Sequence, residues 1–131
     1  MKKALALAVA AIASVGLLAG CSSSNEAIKK VDPIEFSEVV NQPGVIVLDV
    51  RTPEEFNAGH IANAVNINLE GSDFASEVSK IDKDSTVAVY CRSGNRSGVA
   101  TKQMAELGFV DMYDMQGGII DWEAAGGQVV N

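Results

Sequence analysis

The sequence predicts an α/β domain: a mostly parallel sheet of four or five strands with helices on both faces. Three observations carry that prediction. "VIVLDV" (45–50) and "TVAVYC" (86–91) are continuous apolar runs of strand length, the pattern of strands covered on both sides. Each is followed within a few residues by a helix-start signal. The alternation of strand and helix patterns then repeats along the chain, punctuated by Pro and Gly.

The elements follow in order. "IKKV" (28–31) reads as a brief edge strand. "DPIEFSEVVNQPG" opens a helix with Asp32 as N-cap, Pro33 at the first position and Glu35 placed to close a capping box. Ile34, Phe36 and Val39 offer its apolar face, and Pro43-Gly44 ends it. After "VIVLDV", Thr52-Pro53-Glu54-Glu55 caps a short helix to about Ala58. "AVNI" (64–67) is a third strand, and Ser72 or Asp73 starts a helical turn or two through Lys80. "TVAVYC" is the central strand. "SGVATKQMAELG" follows as a helix with Val99, Met104 and Leu107 toward the core and Gly108 at its C-terminal end. "VDMYDM" is the last strand, "GG" the turn after it, and "IIDWEAAG" a closing helix.

The first 20 residues stand outside this pattern. "MKK" is positive, and the 17 residues "ALALAVAAIASVGLLAG" are apolar but fall short of the roughly 20 that a membrane span needs. This reads as a signal peptide. Leu18-Ala19-Gly20-Cys21 resembles a bacterial lipoprotein processing box, in which cleavage leaves an acylated cysteine at the new N-terminus. An ordinary secretory signal with a coincidental cysteine, or a poor transmembrane anchor, is the alternative. The division expected is therefore signal peptide 1–20, lipidated tether 21–27 and folded domain 28–131. Such a protein would be exported and lipid-anchored through Cys21 on the periplasmic or cell-surface side of a bacterial membrane.

Charge narrows the partners. Without Lys2 and Lys3 the chain carries 8 basic against 17 acidic side chains, which argues against a nucleic-acid surface. If Cys21 carries lipid, Cys91 is the only thiol left, and no intramolecular disulfide can form. Cys91 sits at the end of the central apolar run, where open parallel sheets collect their reactive groups. "RSGNR" (92–96) must turn tightly into the next helix, expected to begin near Ser97. Gly94 permits positive φ, and Asn95 tolerates the same bend best among the other residues. Backbone N–H groups of such a turn, with the helix N-terminus, form a nest for negative charge. Helix N-termini and nearby arginines lower a thiol's pKa, and Arg92 and Arg96 offer planar donor forks for an oxyanion.

Cys91-Arg92-Ser93-Gly94-Asn95-Arg96-Ser97 resembles the active-site loop of single-domain rhodaneses. "LDVRTPEEFNAGHIANAVNI" (48–67) is similar to that family's amino-terminal signature, and "GGIIDWEAAG" (117–126) to its closing one. The resemblance covers about Ile28 to Val130 and implies a rhodanese-like fold. It implies Cys91 as a nucleophile that cycles through a persulfide. It also implies Arg92, Ser93, Gly94, Asn95 and Arg96 as the loop around the transferred sulfur. Asp49 and Arg51 match the family's D-x-R pair at the active-site rim; a structural salt bridge is the other reading. The resemblance implies a structural position for His60; Trp122 and Phe56 read as core or helix-packing residues.

The expected activity is sulfur transfer from thiosulfate or a similar sulfane donor, through Cys91, to cyanide or a thiol acceptor, with no cofactor or metal. Phosphatase chemistry needs a Cys-x5-Arg cradle around a tetrahedral phosphate, whereas Arg96 stands at Cys-x4-Arg. One histidine and one free cysteine make no zinc pattern. The competing class is a membrane-tethered protein-binding or sulfur-delivery module that turns over free thiosulfate poorly.

Overall fold

Val87 to Tyr90 are completely buried, and that follows from their place in the sheet. The computed structural model describes residues 26–131; the expected signal peptide, Cys21 and most of the expected tether lie outside the described residues. Five strands, β1 (Ile28–Val31), β2 (Ile46–Asp49), β3 (Val65–Asn66), β4 (Thr86–Tyr90) and β5 (Asp111–Met115), form one sheet in the order β1-β5-β4-β2-β3. Every pairing is parallel, with Leu48 beside Val89 and Val87 beside Met112. β4 is therefore the central strand, and β1 an edge strand, as the sequence predicts.

Alternation along β4 builds two cores. Val87, Val89 and Cys91 face a cluster with Leu48, Phe74, Val78, Ala100, Met104 and Phe109. These come from β2, from α3 (Phe74–Val78) and from α4 (Asn95–Glu106) with the turn beyond it. Ala88 and Tyr90 face the opposite cluster, which holds Phe36 and Val39 from α1 (Pro33–Val40), Ile119 and Trp122 from α5 (Gly118–Ala124), and Ile61 from the segment before β3. There Phe36 meets Tyr90 and Trp122 edge-on, at centroid separations of 6.2 and 6.1 Å. No helix among the described residues is long and apolar enough to cross a membrane.

Several local expectations need correction. Asp32 accepts the Glu35 N–H at 2.9 Å, but Glu35 does not return the bond, so the first helix has half a capping box. The complete box caps α2 (Pro53–Ala58), between Thr52 and Glu55. Ile34 is 67% exposed: two positions from Phe36 is 200° around a helix, the opposite face. Val99 is exposed for the same kind of reason. The buried row of α4 is Ser97, Ala100, Thr101 and Met104, an i, i+3, i+4, i+7 stripe whose two hydroxyls disguise it. Leu107 is partly buried against that core. The last helix opens at Gly118, one residue before "IIDWEAAG".

Candidate active site

Cys91 follows the last residue of β4, where that strand's carboxyl end delivers it, and is 1% exposed. α4 begins at Asn95, two residues earlier than the sequence predicts, so only Arg92, Ser93 and Gly94 bridge strand and helix. Gly94 takes the whole bend at φ 103°; Asn95 is already helical, which removes the reason for expecting it to share the turn. The tight return aims the Gly94 N–H at Cys91 Sγ, 3.0 Å away. The thiol in turn donates to Ser97 Oγ at 3.5 Å, and the Ser97 hydroxyl lies 2.6 Å from Asp114 Oδ1.

A second element braces the loop from below. The Ile119 N–H donates to the Cys91 carbonyl at 2.9 Å, and the Ile120 N–H approaches the Arg92 carbonyl at 3.2 Å. This seating requires glycine at 118, where φ is +60° and a Cβ would overlap the Arg92 carbonyl. The "GG" turn thus serves the cysteine loop directly.

The two arginines part company. Both terminal nitrogens of Arg96 bond the Glu55 carboxylate, at 2.7 and 2.9 Å. That bidentate pair, with the charge of Arg96, holds Glu55 down at about 2, well below its usual range. The fork of Arg96 is therefore occupied, contrary to the expectation that it is open to an oxyanion. Arg92 is exposed and makes no ion pair among the described residues. It borders a cleft of about 360 Å³ with Arg51, Glu55, Gly59, Ile119, Ile120 and Glu123. Ser93 in the bend and Asn95 at the start of α4 are both exposed.

Asp49 and Arg51 lie beneath the cleft as a buried pair. Arg51 donates from its backbone N–H and Nε to Asp49 Oδ1 at 2.9 and 3.0 Å, and from Nη2 to the Gly59 carbonyl at 2.7 Å. Burial alone would depress Arg51; the bonds and charge of Asp49 more than offset it and hold the guanidinium up. Its guanidinium lies over the Tyr90 ring, 5.6 Å from the centroid. Burial likewise pushes the Tyr90 hydroxyl upward, so it stays a neutral acceptor for the Ile61 N–H at 3.0 Å. His60 stacks on Phe56, bonds the Phe56 carbonyl through Nδ1 at 2.9 Å, and bridges by its backbone to Val130.

Sequence reasoning missed three contributors. Glu55 looked like a capping residue only, and nothing local reveals that it reaches Arg96. Ser97 closes the loop motif and marks a helix start in the sequence, which gives it no role of its own. Asp114 did carry a signal: it shares strand parity with Met112, which faces α4, so an acid was bound for that interior.

Comparison with known proteins agrees with this architecture. Residues 32–125 match the Rhodanese-like domain model, and the chain belongs to that family. It is 32% identical over 96 residues to a thiosulfate sulfurtransferase, GlpE, of Coxiella burnetii, covering 73% of this chain and 88% of that one. It is 36% identical over 97 residues to a tRNA uridine(34) hydroxylase of Cytophaga hutchinsonii, covering 72% of this chain. The match spans only 31% of that hydroxylase. Among solved structures, a rhodanese-related protein of Thermoplasma volcanium matches with a TM-score of 0.69 at 33% identity, covering 78% of this chain and 97% of that one. The Alr3790 protein of Anabaena gives 0.70 at 25%, covering 77% and 82%.

Proposed function

We propose that this protein is a sulfurtransferase that loads sulfane sulfur from thiosulfate, or a similar donor, onto Cys91 and passes it to cyanide or a thiol. The observation that carries the reading is the Gly94 N–H, 3.0 Å from a sulfur at the carboxyl end of the central strand. A donor so placed favours negative charge on that sulfur. Relatedness to a thiosulfate sulfurtransferase over nearly that protein's whole length supports the same chemistry.

In the proposed cycle the Cys91 thiolate attacks the outer sulfur of thiosulfate. A sulfur–sulfur bond forms as the donor's own breaks, and sulfite leaves with the electron pair. The persulfide then gives its outer sulfur to cyanide, releasing thiocyanate and the thiolate. The site-lining arginine with an open fork, Arg92, is the cation for the incoming dianion. The balance needs no oxidant.

Mass spectrometry of the purified protein after incubation with thiosulfate tests this. One added sulfur on Cys91, discharged by cyanide and absent from Cys91→Ser, is the expected result. A folded protein that loads from no sulfane donor would instead fit the protein-binding module. We also propose export and lipid attachment at Cys21, supported by the order of charged, apolar and small residues before it. Intact mass of the membrane fraction should show a chain beginning at an acylated Cys21; a full-length unmodified chain refutes attachment.

A further inference from the structure

The proposed cycle leaves one buried acid unused. Asp114 is 2% exposed, and its Oδ1 lies 2.6 Å from the Ser97 hydroxyl. Its Oδ2 faces the Gly98 backbone, 3.8 Å from where a Cβ would stand. Burial pushes this carboxyl up, while the Ser97 hydroxyl and the charge of Lys30 pull it back; Lys30 stands opposite on β1. Ser97 itself is completely buried and touches Cys91 Sγ at 3.5 Å.

Ser97 has one hydrogen and three candidates to receive it: Asp114 at 2.6 Å, the Gly94 carbonyl at 3.2 Å and the sulfur. A charge-assisted O–H···O⁻ bond of this length is the strongest of the three. The hydrogen therefore points at Asp114, and the oxygen can only accept from the thiol. Accepting an S–H stabilises the protonated form of Cys91. The Gly94 N–H and the charge of Arg96 pull the other way, although Glu55 and Glu70 offset that charge.

We propose that Asp114, acting through Ser97, restrains ionisation of Cys91 and so sets how much thiolate the site holds before a sulfur donor arrives. This rests on the reading of Cys91 as the reacting group. Ser97 is the contact and Asp114 the positioning residue. The gain is chemical: a thiolate from a less acidified thiol is the stronger nucleophile, so the loop's acidifying pull is held short of making an abundant but sluggish anion.

The test is alkylation of the full chain by iodoacetamide across pH, followed at the Cys91 peptide and normalised to each variant's own alkaline plateau. Asp114→Asn is expected to move the midpoint to lower pH, giving about tenfold faster alkylation at a fixed pH on the acid limb. Ser97→Ala should move it the same way, and adding Asp114→Asn to Ser97→Ala should then change little. A midpoint that stays or rises in Asp114→Asn overturns the proposal. So does an equal effect of Asp114→Asn with and without Ser97, which would mean the charge acts directly. Should Asp114→Asn fail to fold, an unmoved midpoint in Ser97→Ala is sufficient to overturn it. No sulfur donor enters this experiment, so a protein that never loads sulfur would still show the shift, and the two readings fail separately.

Discussion

Arg92 and Arg96 stand four residues apart, one in the bend after β4 and the other in the first turn of α4, and their surroundings give them different work. Arg96 is partly buried and held by a bidentate bond to Glu55. Removing it leaves the Glu55 carboxylate unpaired and unties α2 from the cysteine loop. Arg92 lines the cleft and makes no ion pair among the described residues, so removing it strands no described carboxylate. Kinetics of loading from thiosulfate should separate them. Arg92→Ala is expected to raise KM about tenfold or more, the scale of one lost charge-assisted contact at about 1.5–3 kcal/mol, while leaving thermal stability in place. Arg96→Ala is expected to lower kcat and thermal stability together. Equal KM effects with unchanged stability in both variants would show that the two arginines share one role.

At the scale of elements, the site is a meeting of strand ends and helix starts, and its legibility in the sequence follows from that. β4 and the loop after it were readable because one local segment contains strand, glycine bend and helix start. α2 was readable because Thr52, Pro53 and Glu55 carry its cap within four residues. Ile34 and Val99 misled because short helices allow more than one apolar stripe, and burial is decided by the partner surface. The true stripe of α4 includes Ser97 and Thr101, whose hydroxyls find acceptors inside the protein: Asp114 for Ser97, and the Ser97 carbonyl at 2.9 Å for Thr101. The occupied fork of Arg96 was illegible for a different reason. Glu55 lies 41 positions away, and only the folding of α2 beside α4 makes them neighbours. Gly118 is the intermediate case: its pairing with Gly117 signals a turn, but the need for close approach to Arg92 belongs to the tertiary fold.

Over the whole molecule, β2, β4 and β5 end at one edge of the sheet, and β4 lies between the other two. That edge gathers Asp49, Cys91 and Asp114 from three strands, and the pair Glu55–Arg96 ties two of its helices together. This pair makes the stability of the domain depend on acid. The folded Glu55 titrates at about 2 against an ordinary value of 4.5. Its contribution is therefore complete above about pH 4.5 and is lost as the pH falls toward 2. Asp111, depressed by Lys29 and by the Thr86 hydroxyl, acts in the same direction. Asp114 acts in the opposite one, since burial raises it and protonation relieves that cost. Glu55→Gln isolates the ion pair, because glutamine also serves at the third helical position of a capping box. With the two side chains 28% and 23% exposed, the substitution should cost about 1 kcal/mol at pH 7, a fall of about 4 °C in thermal midpoint. Thermal scans of both proteins from pH 7 to pH 2 should show that gap intact down to about pH 4.5 and closing below it. A gap that persists unchanged to pH 2 would assign the loss to packing or capping rather than to the charge that joins α2 to the cysteine loop.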